Sequence, residues 1–192
     1  MEGKAGDAGV SGFETLMGHG IQARGDKVWK QQRDIEFEAF YRMHRDRLWR
    51  LALLLTSDTE RADDFAQEAL LRAYQAWHRI RQEDPLPYVH KILVNLVRKD
   101  WRRRALDLLP KGRTETFSAD SADRVADALI LGEMLSTLST VRRATLLLRF
   151  YEDLSAEEVS RVLERPLGTV KSDTRRALEQ IRPLLQIEEE AR

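Results

Sequence analysis

Apolar residues recur at helical spacing within 34–104 and again within 124–185, and nowhere do they alternate as a strand requires. The first period covers residues 34–55, with Phe37, Phe40, Tyr41, His44, Leu48, Leu51, Ala52 and Leu55 on one broad face. Thr56-Ser57-Asp58 breaks it and supplies caps for a second helix over 59–77. That helix turns Ala62, Phe65, Ala66, Ala69, Leu70, Ala73 and Trp77 inward. Pro85 and Pro87 mark 79–87 as a loop. A third helix, from Leu86 or Tyr88 to Arg104, faces the core with Val89, Ile92, Leu93, Leu96, Val97 and Trp101. The period resumes over 124–138 (Val125, Leu129, Met134, Leu135, Leu138). It continues in a helix capped by Ser139 and running to Tyr151 (Ala144, Leu147, Leu148, Tyr151).

The stretch 153–182, DLSAEEVSRVLERPLGTVKSDTRRALEQIR, carries the most information. Ser155 and Glu158 complete a capping box, and Val159, Val162 and Leu163 follow at helical spacing. Pro166 bars continuation of that helix. Gly168-Thr169 opens another, with Thr169 as its expected cap and Val170, Thr174, Ala177, Leu178 and Ile181 as its buried stripe. Lys171, Ser172, Arg175, Arg176 and Arg182 fall largely off the stripe. Arginines on the outside of a helical hairpin usually meet only water. The short turn and the polar start of the second helix favour a helix-turn-helix, whose second helix enters the major groove of DNA.

The pattern therefore predicts an all-α chain of two small helical domains, 34–104 and 124–185. A flexible linker, 105–123, joins them; it lacks periodicity and holds Pro110, Gly112 and a run of Ser, Thr and Asp. A Gly-rich stretch, 1–33, reads as a disordered tail, and 186–192 as an acidic tail.

Charge sharpens this picture. Lys+Arg and Asp+Glu both number 32 in 192 residues, a net charge of zero, but they are segregated. Residues 91–113 hold eight Lys and Arg against Asp100 and Asp107; residues 114–127 hold Glu115, Asp120, Asp123 and Asp127 against Arg124. Neutral overall with basic islands suits a chain that touches both nucleic acid and a basic protein surface. No cysteine is present, which excludes disulfides and thiolate metal sites. The four histidines lack ligand spacing and read as surface or rim residues; no metal or cofactor is expected. No apolar run approaches the ~20 residues that span a bilayer, and no signal peptide is visible, so a cytoplasmic protein without membrane contact is expected.

Two further constellations carry chemistry. On the second helix Asp63, Asp64, Gln67 and Glu68 form an acidic face, with Asp64 and Glu68 four residues apart. Such a face is most often only solvated; its functional reading is a basic protein groove. Like charges at this spacing cost a helix a few tenths of a kcal/mol, so a partner helps explain them. On the third helix Lys91, Arg98, Lys99, Arg102 and Arg103 can contact phosphates, and Asn95 can present a donor and an acceptor to a base edge. Trp77, His78, Tyr88 and Trp101 can stack on unpaired bases, although the tryptophans are spaced as core residues. No nucleophile with a base, and no Gly-rich phosphate loop, is present, so an enzyme is not expected.

Taken together, RADDFAQEALLRAYQAW followed by PYVHKILVNLVRKDWRRR resembles region two of the extracytoplasmic-function (group IV) sigma factors of the sigma-70 family. LSTLSTVRRATLLLRFYEDLSAEEVSRVLERPLGTVKSDTRRALEQIR resembles their region four. The resemblance implies a chain that directs transcription initiation by recognising −35 and −10 promoter elements and helps melt the −10 region. It implies core RNA polymerase as partner, through its β′ clamp and β flap, with Asp63, Asp64, Gln67 and Glu68 on the clamp. Promoter DNA is implied at Thr169, Lys171, Ser172, Arg175 and Arg176 for −35. For −10 it is implied at Asn95, Arg98, Lys99, Arg102, Trp77 and His78, with about His78–Asp84 at a flipped base. The linker, 104–123, is implied in the RNA exit path, and an anti-sigma factor is a further candidate partner. Departures lie in the turn, where Leu163-Glu164-Arg165-Pro166 replaces Leu-Gly-x-Ser. They also include Asp173 where a cation is frequent, Ser160 for Ala, and Phe65 for Val or Leu. A stand-alone helix-turn-helix repressor or activator needs only the second half of this pattern. An enzyme with a metal on Asp64 and Glu68 lacks further ligands.

Overall fold

The computed structural model describes the backbone of residues 11–107 and 119–190, and the side chains of residues 30–104 and 126–184. Every regular element among the described residues is an α-helix: α1 Ser11–Thr56, α2 Thr59–Ile80, α3 Leu86–Asp107, α4 Ala119–Leu135, α5 Thr140–Phe150, α6 Ala156–Leu163 and α7 Leu167–Glu190. The expected all-α class is what the helices form, in two clusters, α1–α3 and α4–α7. The helix expected from Asp34 starts at Ser11 instead, so residues 11–33 carry helical backbone where a tail was expected. Gln22, Ala23, Lys27 and Lys30-Gln31-Gln32 are good helix formers, and extending an existing helix needs no apolar stripe. Residues 1–10, 191 and 192 lie outside the described residues, as do 108–118, the middle of the expected linker.

Residues Met1–Tyr41 and Arg42–Arg192 form separate units. In the first, Phe37 stacks at a tilt on Phe40 and Tyr41, 6.2 and 6.5 Å away, one turn apart on the helix.

In the second unit the termini of the helices follow the local chemistry. Asp58 caps α2, accepting from the Arg61 N–H at 3.1 Å. Ser139 caps α5. Leu48 and Leu51–Leu55 of α1 are buried with Ala62, Ala66, Ala69, Leu70, Ala73, Ala76 and Trp77 of α2. α3 packs along α2. The other cluster buries Leu146–Leu148, Val159, Val162, Leu163, Val170, Ala177 and Ile181. Burying one such side chain contributes about 1.5–3 kcal/mol.

The inward stripe of α3 differs from expectation. Val89, His90, Leu93, Val94 and Val97 are buried, Ile92 and Leu96 are half-buried, and Trp101 is 39% exposed. The cause is tertiary: α3 touches α2 on one side and α5 and α6 on another, so it buries two faces. Phe65 is likewise only half-buried and Leu178 is exposed.

Arg143 of α5 is 2% exposed. Its Nε donates to the Leu135 carbonyl and its Nη1 to the Leu55 carbonyl, both at 2.9 Å. Both carbonyls sit at helix C-termini, where they have no partner within the helix. Burial pushes the guanidinium down to about 10, with Glu133 opposing, so it stays charged at neutral pH. Arg143→Met keeps the stem and removes both donors. It is expected to lower unfolding stability by roughly 1–3 kcal/mol, since the Leu55 carbonyl loses its partner while the Leu135 carbonyl keeps the Leu138 N–H at 3.0 Å. Urea denaturation followed by circular dichroism measures this.

Candidate nucleic-acid interface

The helix-turn-helix is built by its caps. Ser155 Oγ accepts from the Glu158 N–H at 3.1 Å, and Glu158 Oε2 accepts from the Ser155 N–H at 2.6 Å, which closes the expected capping box. These hydrogen bonds to Ser155 hold the Glu158 carboxyl below its usual range. Glu164 ends α6 in the left-handed region, φ 52° and ψ 47°, which favours glycine. Ser160 fits the crossing by tying the turn: its hydroxyl donates to the Arg165 carbonyl at 2.6 Å. The expected cap at Thr169 is not formed. α7 begins two residues earlier, and the Pro166 carbonyl accepts from the N–H of Thr169 and of Val170 at 2.9 and 3.1 Å.

Along α7, Val170, Asp173, Ala177 and Ile181 are buried, and Thr174 is half-buried. Lys171, Arg175, Arg176 and Arg182 are exposed and Ser172 half-exposed. Lys171 and Arg175 share one line of the helix, and Ser172 and Arg176 the next. Asp173 does not compete for them. It turns inward to Arg142 at 3.8 Å and Arg165 at 3.5 Å. Arg175 donates to Glu179 at 2.6 Å, whereas Lys171 and Arg176 have no acidic partner among the described residues.

On α3 the exposed residues Tyr88, Asn95 and Arg102 recur every seven positions, which puts them on one stripe beside Lys99. Asn95 Oδ1 accepts from Arg98 at 3.5 Å, a long contact. Asp100, the carboxylate within this run, is pinned by Arg61 and by Arg104 at 3.4 Å. Lys99 and Arg102 therefore face water with no acidic partner among the described residues. Trp77 is a correction: at 4% exposure it belongs to the core and offers no face to a base. His78, Tyr88 and Trp101 are the exposed rings near this stripe.

The α2 face forms an open groove of about 650 Å³ lined by Asp64, Phe65, Gln67, Glu68, Leu71, Arg72 and Leu96. Gln67 donates to Asp63 at 2.5 Å and Arg72 to Glu68 at 2.7 Å. Asp64 has no cation beside it among the described residues. The Arg61 guanidinium lies 5.8 Å over the Phe65 ring, and its desolvation lowers its pKa against the pull of Asp100. An apolar floor with an acidic rim suits a basic amphipathic helix. No group of three or more His, Asp or Glu able to hold a metal occurs among the described residues.

Sequence reasoning missed two buried groups, Arg143 and His90. His90 is fully buried against Glu152, not a surface or rim residue. Its place between Val89 and Leu93 was the available signal.

Two family models match the chain: Sigma-70 region 2 over residues 40–106 and Sigma-70 region 4 over residues 128–181. The chain is 34% identical over 154 residues to an RNA polymerase sigma-E factor of Streptomyces avermitilis, spanning 79% of this chain and 86% of that protein. It is 32% identical over 157 residues to the ECF RNA polymerase sigma factor SigL of Mycobacterium tuberculosis, spanning 77% and 88%. Its fold is similar to that of the sigma factor RpoE of Bartonella quintana, solved in complex with the anti-sigma factor NepR. There the TM-score is 0.57 at 21% identity, over 84% of this chain and 98% of that one. It is also similar to CnrH, solved with the cytosolic domain of CnrY, at a TM-score of 0.58 and 20% identity, over 79% and 88%. Among the described residues no helix is long and apolar enough to cross a membrane. With both regions present in order, the chain belongs to the extracytoplasmic-function (group IV) sigma factors of the sigma-70 family, which direct RNA polymerase to promoter elements.

Proposed function

We propose that this sigma factor divides its work among three faces. The α2 groove grips the polymerase β′ clamp, the α3 stripe holds the −10 strand, and the exposed half of α7 reads −35 duplex. The observation that carries this is electrostatic. In both basic helices the local carboxylate is turned away, Asp100 onto Arg61 and Arg104, Asp173 onto Arg142 and Arg165, which leaves Lys99, Arg102, Lys171 and Arg176 pointing outward. Cations arranged this way neutralise phosphates.

The chemistry follows from each face. Duplex −35 DNA needs only a helix in the major groove. Opening −10 DNA costs a few kcal/mol per unstacked base. Exposed Tyr88 and Trp101 and the amide of Asn95 offset that by stacking and by hydrogen bonds to base edges. His78–Asp84 lies at the end of that stripe, where a flipped base would be received. An anti-sigma factor is a further partner consistent with the two solved relatives, each described in a complex.

Asp64→Arg with Gln67→Ala is expected to weaken binding to core polymerase at least about tenfold, the effect of losing one charge-assisted contact, with unchanged melting temperature. Fluorescence anisotropy with core enzyme measures it. Loss of melting temperature, with affinity intact in the folded fraction, would refute the clamp assignment.

Asn95→Ala is expected to impair opening more than −35 binding. Permanganate reactivity at −10 beside a −35 shift assay compares them, and equal losses would contradict the division.

On α7, Arg176→Ala is expected to weaken −35 binding across all sequences and reduce the salt slope by about one, as a phosphate contact does. Arg175→Ala is expected to relax preference at one or two base pairs, by about 1–3 kcal/mol. A −35 library at two salt concentrations separates the two.

A further inference from the structure

Asp173 interrupts the cationic run of α7 and is buried there. Its two carboxylate oxygens are split between two arginines from other elements. Oδ1 lies 3.8 Å from Nε of Arg142, in the first turn of α5. Oδ2 lies 3.5 Å from Nη2 of Arg165, in the turn before α7. Two guanidiniums around one carboxylate keep a net positive charge. Both arginine side chains stay about a third exposed, at 33% and 34%, while the Asp173 side chain behind them is at 10%. A charge-assisted hydrogen bond between a guanidinium and a carboxylate spans ~2.7–2.9 Å. Both contacts here are longer, so Asp173 holds the arginines without saturating their donors. An ion pair serving only to tie the turn to α7 gains by closing to the shorter distance.

The place of this cluster on α7 gives it a use. Ser172, Arg176 and Gln180 form one line of the helix, each four residues from the next. Asp173 lies ~60° round the helix from Arg176, on the buried side, and the line of Lys171 and Arg175 lies on the opposite side of Arg176. Gln180 Oε1 accepts from Arg142 Nη1 at 3.5 Å, and Gln180 Nε2 donates to the Thr137 carbonyl at 2.8 Å. Arg142 is thereby fastened to the line that carries Arg176.

We propose that Arg142 and Arg165 are phosphate contacts on the −35 duplex, set beside Arg176 by Asp173, which acts as a positioning residue. The proposal rests on the sigma reading above, in which α7 faces −35 DNA. The positive charge that Asp173 denies to α7 is supplied from α5 and from the turn, and the carboxylate organises it. Because Asp173 lies behind the two guanidiniums, a phosphate meets the cations first. An arginine already held by a buried partner has less freedom to lose on binding, and such preorganisation adds affinity. Arg165, Arg176 and Arg142 then follow the DNA backbone along one edge of the helix, while Arg175 keeps to a base edge.

The test uses the full-length chain with core polymerase, on a duplex carrying a −35 element and on the same duplex with that element scrambled, across a salt series. Arg165→Gln and Arg142→Gln are each expected to weaken binding to both duplexes by about three- to tenfold and to lower the salt slope by about one. Arg165→Lys keeps the charge and is expected to keep the slope. Asp173→Asn separates positioning from bare charge. By charge alone, removing a carboxylate near phosphates tightens binding and steepens the slope. With the arginines no longer held, Asp173→Asn is expected instead to weaken binding and flatten the slope, with the preference for −35 over scrambled duplex unchanged. Tighter binding would overturn the positioning role, and so would a loss of preference along with affinity, which is the sign of a displaced α7. Affinities and slopes equal to the parent's in both Gln variants would overturn the phosphate contacts. Should Arg165→Gln not fold, Arg142→Gln, which leaves the turn untouched, decides alone. A parent holoenzyme without preference for the −35 duplex overturns the reading of α7 itself. A parent that shows the preference, with both arginines silent, overturns this proposal alone.

Discussion

A single buried guanidinium ties the helices together. Arg143 lies on α5, yet its two donors satisfy carbonyls at the ends of α4 and α1, 8 and 88 residues away. A helix end buried without partners is costly, and a long planar side chain can serve two ends at once. Fixing these ends fixes α5, and α5 in turn carries Ser139 at its start and Tyr151-Glu152 at its finish. The position of the helix-turn-helix and of Glu152 both follow from where α5 is held.

The neutral total charge conceals a consistent division. Carboxylates inside the basic stretches are drawn inward or sideways onto arginines that are themselves half-buried, as at Asp100 with Arg61 and Asp173 with Arg142 and Arg165. Each such carboxylate is drawn off the outer surface. What faces outward without an acidic partner among the described residues is Lys99 and Arg102 on α3 and Lys171 and Arg176 on α7, and on α2 Asp64 has no cation beside it. Opposite fields on separate helix faces let one small chain address nucleic acid and protein together.

Residues of unusual conformation share this logic. Glu164 takes a left-handed turn that glycine would adopt without cost, and in return its carboxylate meets Lys91. Ser160 is larger than the alanine common at that crossing, and its hydroxyl closes the turn. These departures from the family pattern alter how the turn is tied, while the capping box and the α7 stripe keep their geometry.

The linear chain already specifies the helices from residue 34 on, a cap within Thr56-Ser57-Asp58, the caps at Ser139 and Ser155, and the helix-turn-helix. These rest on backbone groups and neighbours within four residues, whose needs are written locally. It also determined which side chains carry charge on α2, α3 and α7. Tertiary structure decided which of those charges face outward. Trp77 went to the core and Trp101 to the surface, although both fit a helical stripe, because the width of a buried face depends on how many helices cover it. His90 and Arg143 were unreadable for the same reason. Their partners, Glu152 and the Leu55 carbonyl, lie 62 and 88 residues away, and no local period records a contact that only the packed chain creates.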